Sequence, residues 1–143
     1  TRFFACKGYK DTAMGELTKA TGVAEGTIFY HFKSKQGLFI AILSSLKDDI
    51  LPEFEHYRAT KSANTGLAMV EETIAFYLFL SKKKADFFAI LHQRYPFELA
   101  LTSTECRAIL ESIYNGFVDL FESAITESVV PSFFRRMISP SRV

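Results

Sequence analysis

Thr12-Ala13-Met14-Gly15-Glu16-Leu17-Thr18-Lys19-Ala20-Thr21-Gly22-Val23-Ala24-Glu25-Gly26-Thr27-Ile28-Phe29-Tyr30-His31-Phe32-Lys33-Ser34-Lys35 is the stretch on which the fold turns. Thr12 is a good N-cap for a short helix that carries Met14, Leu17 and Ala20 on one side. Gly22 ends it, because glycine enters the left-handed backbone region at little cost. After the turn Thr21-Gly22-Val23 a second short helix, Ala24 to Phe32, carries Ile28 and Phe32 on one face. Leu17, Val23 and Ile28 can lock the two together at a steep angle. Two short helices joined this way form a helix-turn-helix, a geometry that suits the DNA major groove. The second helix opens with Ala24, Gly26 and Thr27. Small residues let a helix N-terminus sit deep in a groove, and its free N–H groups favour phosphate.

Outward from this pair the chain stays helical. Phe3, Phe4 and Cys6 read as the end of a helix that stops near Gly8. Downstream, Lys33-Ser34-Lys35 interrupts the pattern and Ser34 can cap a long helix. That helix repeats Leu38, Ile42, Leu46 and Ile50, flanked by Phe39 and Leu43, and is expected to reach Pro52. Leu67, Val70, Ile74, Tyr77 and Leu78 form a further stripe, widened by Met69, Phe76 and Phe79, and Lys82-Lys83-Lys84 ends it. Phe87, Phe88, Ile90 and Leu91 open another helix, broken near Pro96. Ile109, Ile113, Phe117, Leu120, Phe121, Ala124 and Ile125 make the cleanest amphipathic run, with Pro131 closing it. No period-2 alternation or hairpin dipeptide signals a strand. The expected fold is all-α.

Composition narrows the function classes. The chain has 143 residues, 48% hydrophobic and 23% charged, the balance of a folded protein rather than a disordered one. Its net charge is +1, so no global field draws it to nucleic acid or membrane. The charge is uneven, however. Residues 1–47 hold seven Lys/Arg against three Asp/Glu, and residues 48–143 hold ten against thirteen. Phenylalanine is abundant, 15 residues, and tryptophan is absent, which points to a large aromatic core, an aromatic cavity, or both. The longest apolar run, Ile74 to Leu80, is far short of the ~20 residues that span a bilayer. Cys6 and Cys106 read as two buried free thiols rather than a disulfide framework. His31, His56 and His92 share no metal-ligand spacing, and no phosphate loop, dinucleotide fingerprint or nucleophile elbow is present. Neither an enzyme nor a metal or cofactor protein is expected.

The series Gly8-Tyr9, Thr12, Met14, Glu16-Leu17, Ala20 to Lys35 and Leu38 resembles the DNA-binding domain of the TetR family of bacterial repressors. The match covers roughly the first 45 residues, and G-V-x-x-G-T-I-F-x-H-F-x-S-K is its most specific part. The resemblance implies a recognition helix over Ala24 to Phe32, with Glu25, Gly26, Thr27, Tyr30 and His31 at the DNA. It places Lys35 on a phosphate, puts Thr12 and Ala13 beside the backbone, and assigns Ile28 and Phe32 to the core. The sequence departs from the family at Gly15, often a basic residue there; at Thr18, usually a small alanine; and at Phe29, frequently tyrosine. Glu25 either accepts from a cytosine amine or sits at the rim.

For the remainder, the resemblance implies helices around an effector pocket and a dimer across a two-fold axis. Phe76, Phe79, Phe87, Phe88, Leu91, Tyr95, Tyr114, Phe117 and Phe121 are candidate pocket walls, with His92 as a polar group among them. So many aromatics suit a bulky apolar or aromatic effector. A complete member carries two further long helices after Ile125, and none is legible in residues 129–140. Phe133-Phe134 is costly to expose on a monomer and is assigned to the interface. The expectation is therefore a helix-turn-helix domain over residues 1–47 and an effector-binding and dimerisation domain over residues 48–143. Together they make a cytoplasmic, ligand-responsive repressor. Its partners are double-stranded operator DNA, a small hydrophobic or aromatic effector and a second copy of itself, with no membrane. The rival reading is a helical effector-binding protein whose DNA-binding domain is degenerate.

Overall fold

The computed structural model describes residues 1–60 and 66–129. The Phe133-Phe134 pair and Pro131 lie outside them. Among the described residues eight helices follow one another: α1 Arg2–Asp11, α2 Met14–Thr21, α3 Glu25–Phe32, α4 Lys35–Thr60, α5 Gly66–Lys83, α6 Ala85–Leu91, α7 Arg94–Ala100 and α8 Thr104–Val129. Among the described residues there is no strand, and no helix is long and apolar enough to cross a membrane.

The turns follow the local chemistry. Gly22 closes α2 in the left-handed conformation, φ 69°, with its N–H on the Thr18 carbonyl at 2.9 Å. Ser34 caps α4, its Oγ accepting from the Gly37 N–H at 2.9 Å. The first segment of α1 stops at Gly8 as expected, at φ 79° and ψ 172°, and a short second segment runs on to Asp11. Thr12 is not the cap of α2. Ala13 holds that place, and the Thr12 hydroxyl turns inward to donate to the carbonyls of Gly8 at 2.7 Å and Phe3 at 3.3 Å. The break at Gly8 leaves carbonyls short of amide donors, and the hydroxyl supplies one.

Two prolines fall inside helices rather than at their ends. α4 runs through Pro52 to Thr60 because Phe54 and Tyr57 continue its buried stripe, outweighing the one amide hydrogen bond that proline cannot make. Pro96 sits in the first turn of α7, where its missing N–H costs nothing. α4 is therefore one helix across residue 47, the expected domain boundary. One hydrophobic core runs from Phe4 and Leu17 through Phe39, Leu43, Leu46, Ile50 and Phe54 to Ile113 and Leu120. Against it α8 packs on α4, α5 and α7, while α1 packs on α6.

The phase of α5 differs from the expected stripe. Its inward face is Met69, Thr73 and Leu80, with Phe76 and Tyr77 partly buried, whereas Leu67, Ile74, Leu78 and Phe79 are exposed. Lys83 and Lys84 are not a free basic patch. They bind Glu53 at 2.6 Å and Asp49 at 2.9 Å, fixing the α5–α6 corner to α4. Cys106 is buried as expected, but Cys6 is exposed. A Cβ built on Gly15 meets nothing within 4 Å. Gly15→Ala is therefore expected to raise stability by about 0.5–1 kcal/mol, measured by urea denaturation.

Candidate nucleic-acid interface and aromatic cavity

The outer face of α3 is held from behind by a single buried anchor, Ile28. Glu25, Gly26, Thr27, Tyr30 and His31 are all exposed, Tyr30 at 73%. No side chain caps the α3 N-terminus, where Ala24 stands; of the first-turn amides, Thr27 N–H bonds the Ala24 carbonyl at 2.9 Å, and Glu25 and Gly26 have no side-chain acceptor. A Cβ on Gly26 meets nothing within 4 Å, so glycine is not needed there for packing. Phe32, expected in the core, is 36% exposed and lines a groove with Leu38 and Ile42. Of the two residues expected beside the DNA backbone from the α1–α2 corner, Ala13 is exposed. Thr12 is fully buried with its hydroxyl engaged, so its side chain cannot reach a phosphate in this conformation.

Lys35 is held inward. Its ammonium lies 4.5 Å from the Tyr9 ring centre and donates to the Lys10 carbonyl at 3.2 Å. It therefore secures the C-terminal end of α1 and has further N–H groups for an anion. The neighbouring Lys33 closes α3 at φ 65° and lays its ammonium 5.2 Å from the Tyr30 ring centre. Lys7 bridges α1 to α2 through Glu16 at 2.8 Å, and that hydrogen bond holds the Glu16 carboxyl below its ordinary pKa.

In the other half, six of the ten expected pocket residues come together. Phe88, Leu91, His92, Tyr114, Phe117 and Phe121, joined by Tyr77, line a cavity of about 240 Å³. Its walls are aromatic edges and faces: Tyr77 meets Phe117 at 5.5 Å and Phe88 at 5.7 Å between ring centres. Polar groups border it. Tyr114 donates its hydroxyl to the Leu91 carbonyl at 3.2 Å, and burial raises its pKa so that the phenol keeps its proton. The His92 Nδ1 sits 2.6 Å from the Phe88 carbonyl, which makes Nδ1 the protonated nitrogen.

The other four lie elsewhere. Phe76 stacks on Tyr57 at 4.2 Å within the core, and Tyr95 stacks on Tyr9 at 3.7 Å against α1. Phe79 is 58% exposed beside Lys83, and Phe87 lies beside Lys84. No group of three or more His, Cys, Asp or Glu among the described residues is placed to hold a metal ion.

Residues 1–42, which build α1 to α3 and the start of α4, match the family profile described as bacterial regulatory proteins, tetR family. Residues 1–42 are thus a TetR-family segment. It is similar to the HTH-type transcriptional regulator AcrR of Shigella flexneri, 34% identical over 73 residues, which is 51% of this chain and 34% of that one. It is also similar to the fatty acid metabolism regulator protein of Bacillus subtilis, 25% identical over 123 residues, 85% of this chain and 60% of that one. With the HTH-type transcriptional regulator QacR of Staphylococcus aureus it shares 42% identity over 41 residues, 29% of this chain and 22% of that one. The chain thus spans 34% of the first of these relatives and 60% of the second. No solved structure gives a significant match.

Two residues carry no motif signal. Lys33 is an ordinary basic position in the sequence; only the tight turn after α3 brings its ammonium to Tyr30. Gln93 carries no motif at all, yet its side chain crosses to α1 and donates to the carbonyls of Phe4 at 2.9 Å and Ala5 at 3.1 Å. No sequence signal marks a glutamine whose partners lie almost ninety positions away.

Proposed function

We propose that the chain is the DNA-binding and effector-binding part of a transcriptional repressor that grips a palindromic operator as a homodimer and is released by a small hydrophobic or aromatic ligand. The observation that carries this reading is the outer face of α3. Glu25, Gly26, Thr27, Tyr30 and His31 are exposed together on a helix anchored only by Ile28, with Lys33 at its end. A tyrosine 73% exposed contributes little to a core, and such a face suits the major groove. Ala13 and Lys35 are the proposed flanking backbone contacts, and Thr12 supports the corner from inside.

The cavity among α5, α6 and α8 supports a compact apolar ligand, since its lining is aromatic and its polar groups are few. The dimer has a specificity argument. A helix of eight residues reads only a few base pairs, and two-fold symmetry doubles the site. Exposed Leu67, Ile74 and Leu78 on α5 and Val118 on α8 supply apolar surface for it.

The test is titration of duplex DNA from the gene's own upstream region at several salt concentrations. Affinity is expected to fall along a straight line in log–log form, losing about 0.9 in slope for each phosphate neutralised. Binding that is absent at low salt, while apolar compounds still raise the melting temperature, supports the rival reading of an effector-binding protein with a degenerate DNA domain.

A further inference from the structure

The size of the aromatic cavity, its lack of charge and its leftover polar atoms bound what it can hold. At about 240 Å³ it is smaller than the sites of drug-sized ligands, ~300–1,000 Å³, and larger than the ~150 Å³ void that accepts benzene. One ring or two fused rings fit. The lining has no Asp, Glu, Lys or Arg, so an ion that enters loses hydration and meets no counter-charge.

The rings do not form a cage for a cation either. Tyr77 meets Phe88 at 81° and Phe117 at 73°, and Phe88 meets Phe117 at 66°. Rings packed edge to face cannot all turn their negative faces to one point, which is what a cation needs. A flat neutral arene continues the same edge-to-face pattern.

The remaining polar atoms decide the functional group. The Tyr114 O–H is spent on the Leu91 carbonyl. The His92 Nδ1–H is spent on the Phe88 carbonyl, so in the neutral ring Nε2 carries a lone pair and no proton. His92 is exposed and also lines the cavity, which puts that lone pair at its rim. The Tyr77 side chain makes ring contacts and no hydrogen bond among the described residues, so its hydroxyl serves any ligand oxygen and discriminates little.

We propose that the cavity takes an uncharged one- or two-ring arene bearing a hydroxyl, which donates to Nε2 of His92. The proposal rests on the reading of the cavity as an effector site given above and narrows it from any compact apolar ligand to a phenol-type one. A hydrocarbon leaves the Nε2 lone pair without a donor. An ether or carbonyl oxygen sets a second lone pair against it, and a carboxylate adds an unpaired charge.

Calorimetric titration of the whole chain, at about pH 8 where a naphthol keeps its proton, compares probes of one shape: naphthalene, 2-naphthol, 2-naphthoate and 2-naphthyltrimethylammonium. 2-Naphthol is expected to bind about tenfold more tightly than naphthalene, the worth of one hydrogen bond, and at least about tenfold more tightly than either ion. His92→Phe is expected to abolish the preference over naphthalene while naphthalene binds as before, which shows the cavity intact. The nitrogen-15 resonance of His92 Nε2 is expected to move on adding 2-naphthol and to stay on adding naphthalene.

Equal binding of naphthalene and 2-naphthol, tighter binding of either ion, or a preference that survives His92→Phe overturns the proposal and leaves the effector site standing. Binding of none of the probes sinks the effector-site reading and the proposal with it. Should His92→Phe fail to fold, the Nε2 resonance of the parent decides in its place, and its failure to move with 2-naphthol overturns the assignment.

Discussion

Phe54→Ala is expected to lower the stability of the chain by about 3–5 kcal/mol, the range for a large aromatic side chain removed from a closed core. Phe54 is fully buried on α4, 4.7 Å from Phe117 of α8 between ring centres and edge-on to Phe76 of α5 at 6.4 Å. It faces Gly116, where a built Cβ would stand 2.9 Å from its Cδ2 atom. The absence of a side chain at Gly116 is what lets the ring in, so no neighbour stands ready to fill the hole. A domain of this size is stable by roughly 5–15 kcal/mol, so the variant forfeits a large share. Urea denaturation of parent and variant measures it, with Phe79→Ala as the contrast. Phe79 is 58% exposed and its truncation is expected to cost under about 0.5 kcal/mol. A Phe54→Ala midpoint within experimental error of the parent overturns the account of the α4–α5–α8 seam.

The second large effect concerns the α3 face. Tyr30→Ala is expected to weaken duplex binding by about 1–3 kcal/mol, or some 5- to 150-fold, with the melting temperature unchanged because the ring packs on nothing buried. Lys33→Ala is expected to weaken binding across all sequences alike and to reduce the salt slope by about 0.9. Lys35→Ala is a poorer test, since that ammonium also binds the Tyr9 ring and the Lys10 carbonyl and its loss disturbs α1 as well. Fluorescence anisotropy with a labelled duplex reads all three. Unchanged affinity in both Tyr30→Ala and Lys33→Ala removes α3 from the interface.

What the sequence made legible was the part governed by local rules. Gly22 in a left-handed turn and Ser34 capping α4 each depend on residues within a few positions, and both stand as expected. The α3 residues singled out by the motif are all exposed, with Thr27 and His31 at the edge of the groove that Ile28 and Phe32 line, whereas Thr12 turned inward because the fate of its hydroxyl was decided by the break at Gly8. In α5 the reading had no unique phase. Apolar residues surround the helix, and the true inner face includes Thr73, which looks unfit for a core. Only the fold shows that its hydroxyl is satisfied, by Tyr57 at 3.0 Å and the Met69 carbonyl at 2.8 Å. The cavity was legible as chemistry but not as geometry. Aromatic density announced it, while the choice between Phe88 inside and Phe87 outside depends on where α6 lands against α8.

The Tyr9–Tyr95 pair has a consequence of a different kind. The chain has no tryptophan and six tyrosines, so the long-wavelength edge of its near-ultraviolet absorption comes from phenol rings, beyond the bands of its 15 phenylalanines. Two of those rings lie nearly parallel at 3.7 Å, a separation at which their transition dipoles couple and their circular dichroism departs from that of isolated tyrosines. The junction between α1 and α7 is thus an optical signal native to the protein. Opening it by a few ångströms uncouples the two rings and changes the tyrosine dichroic band, with no label attached.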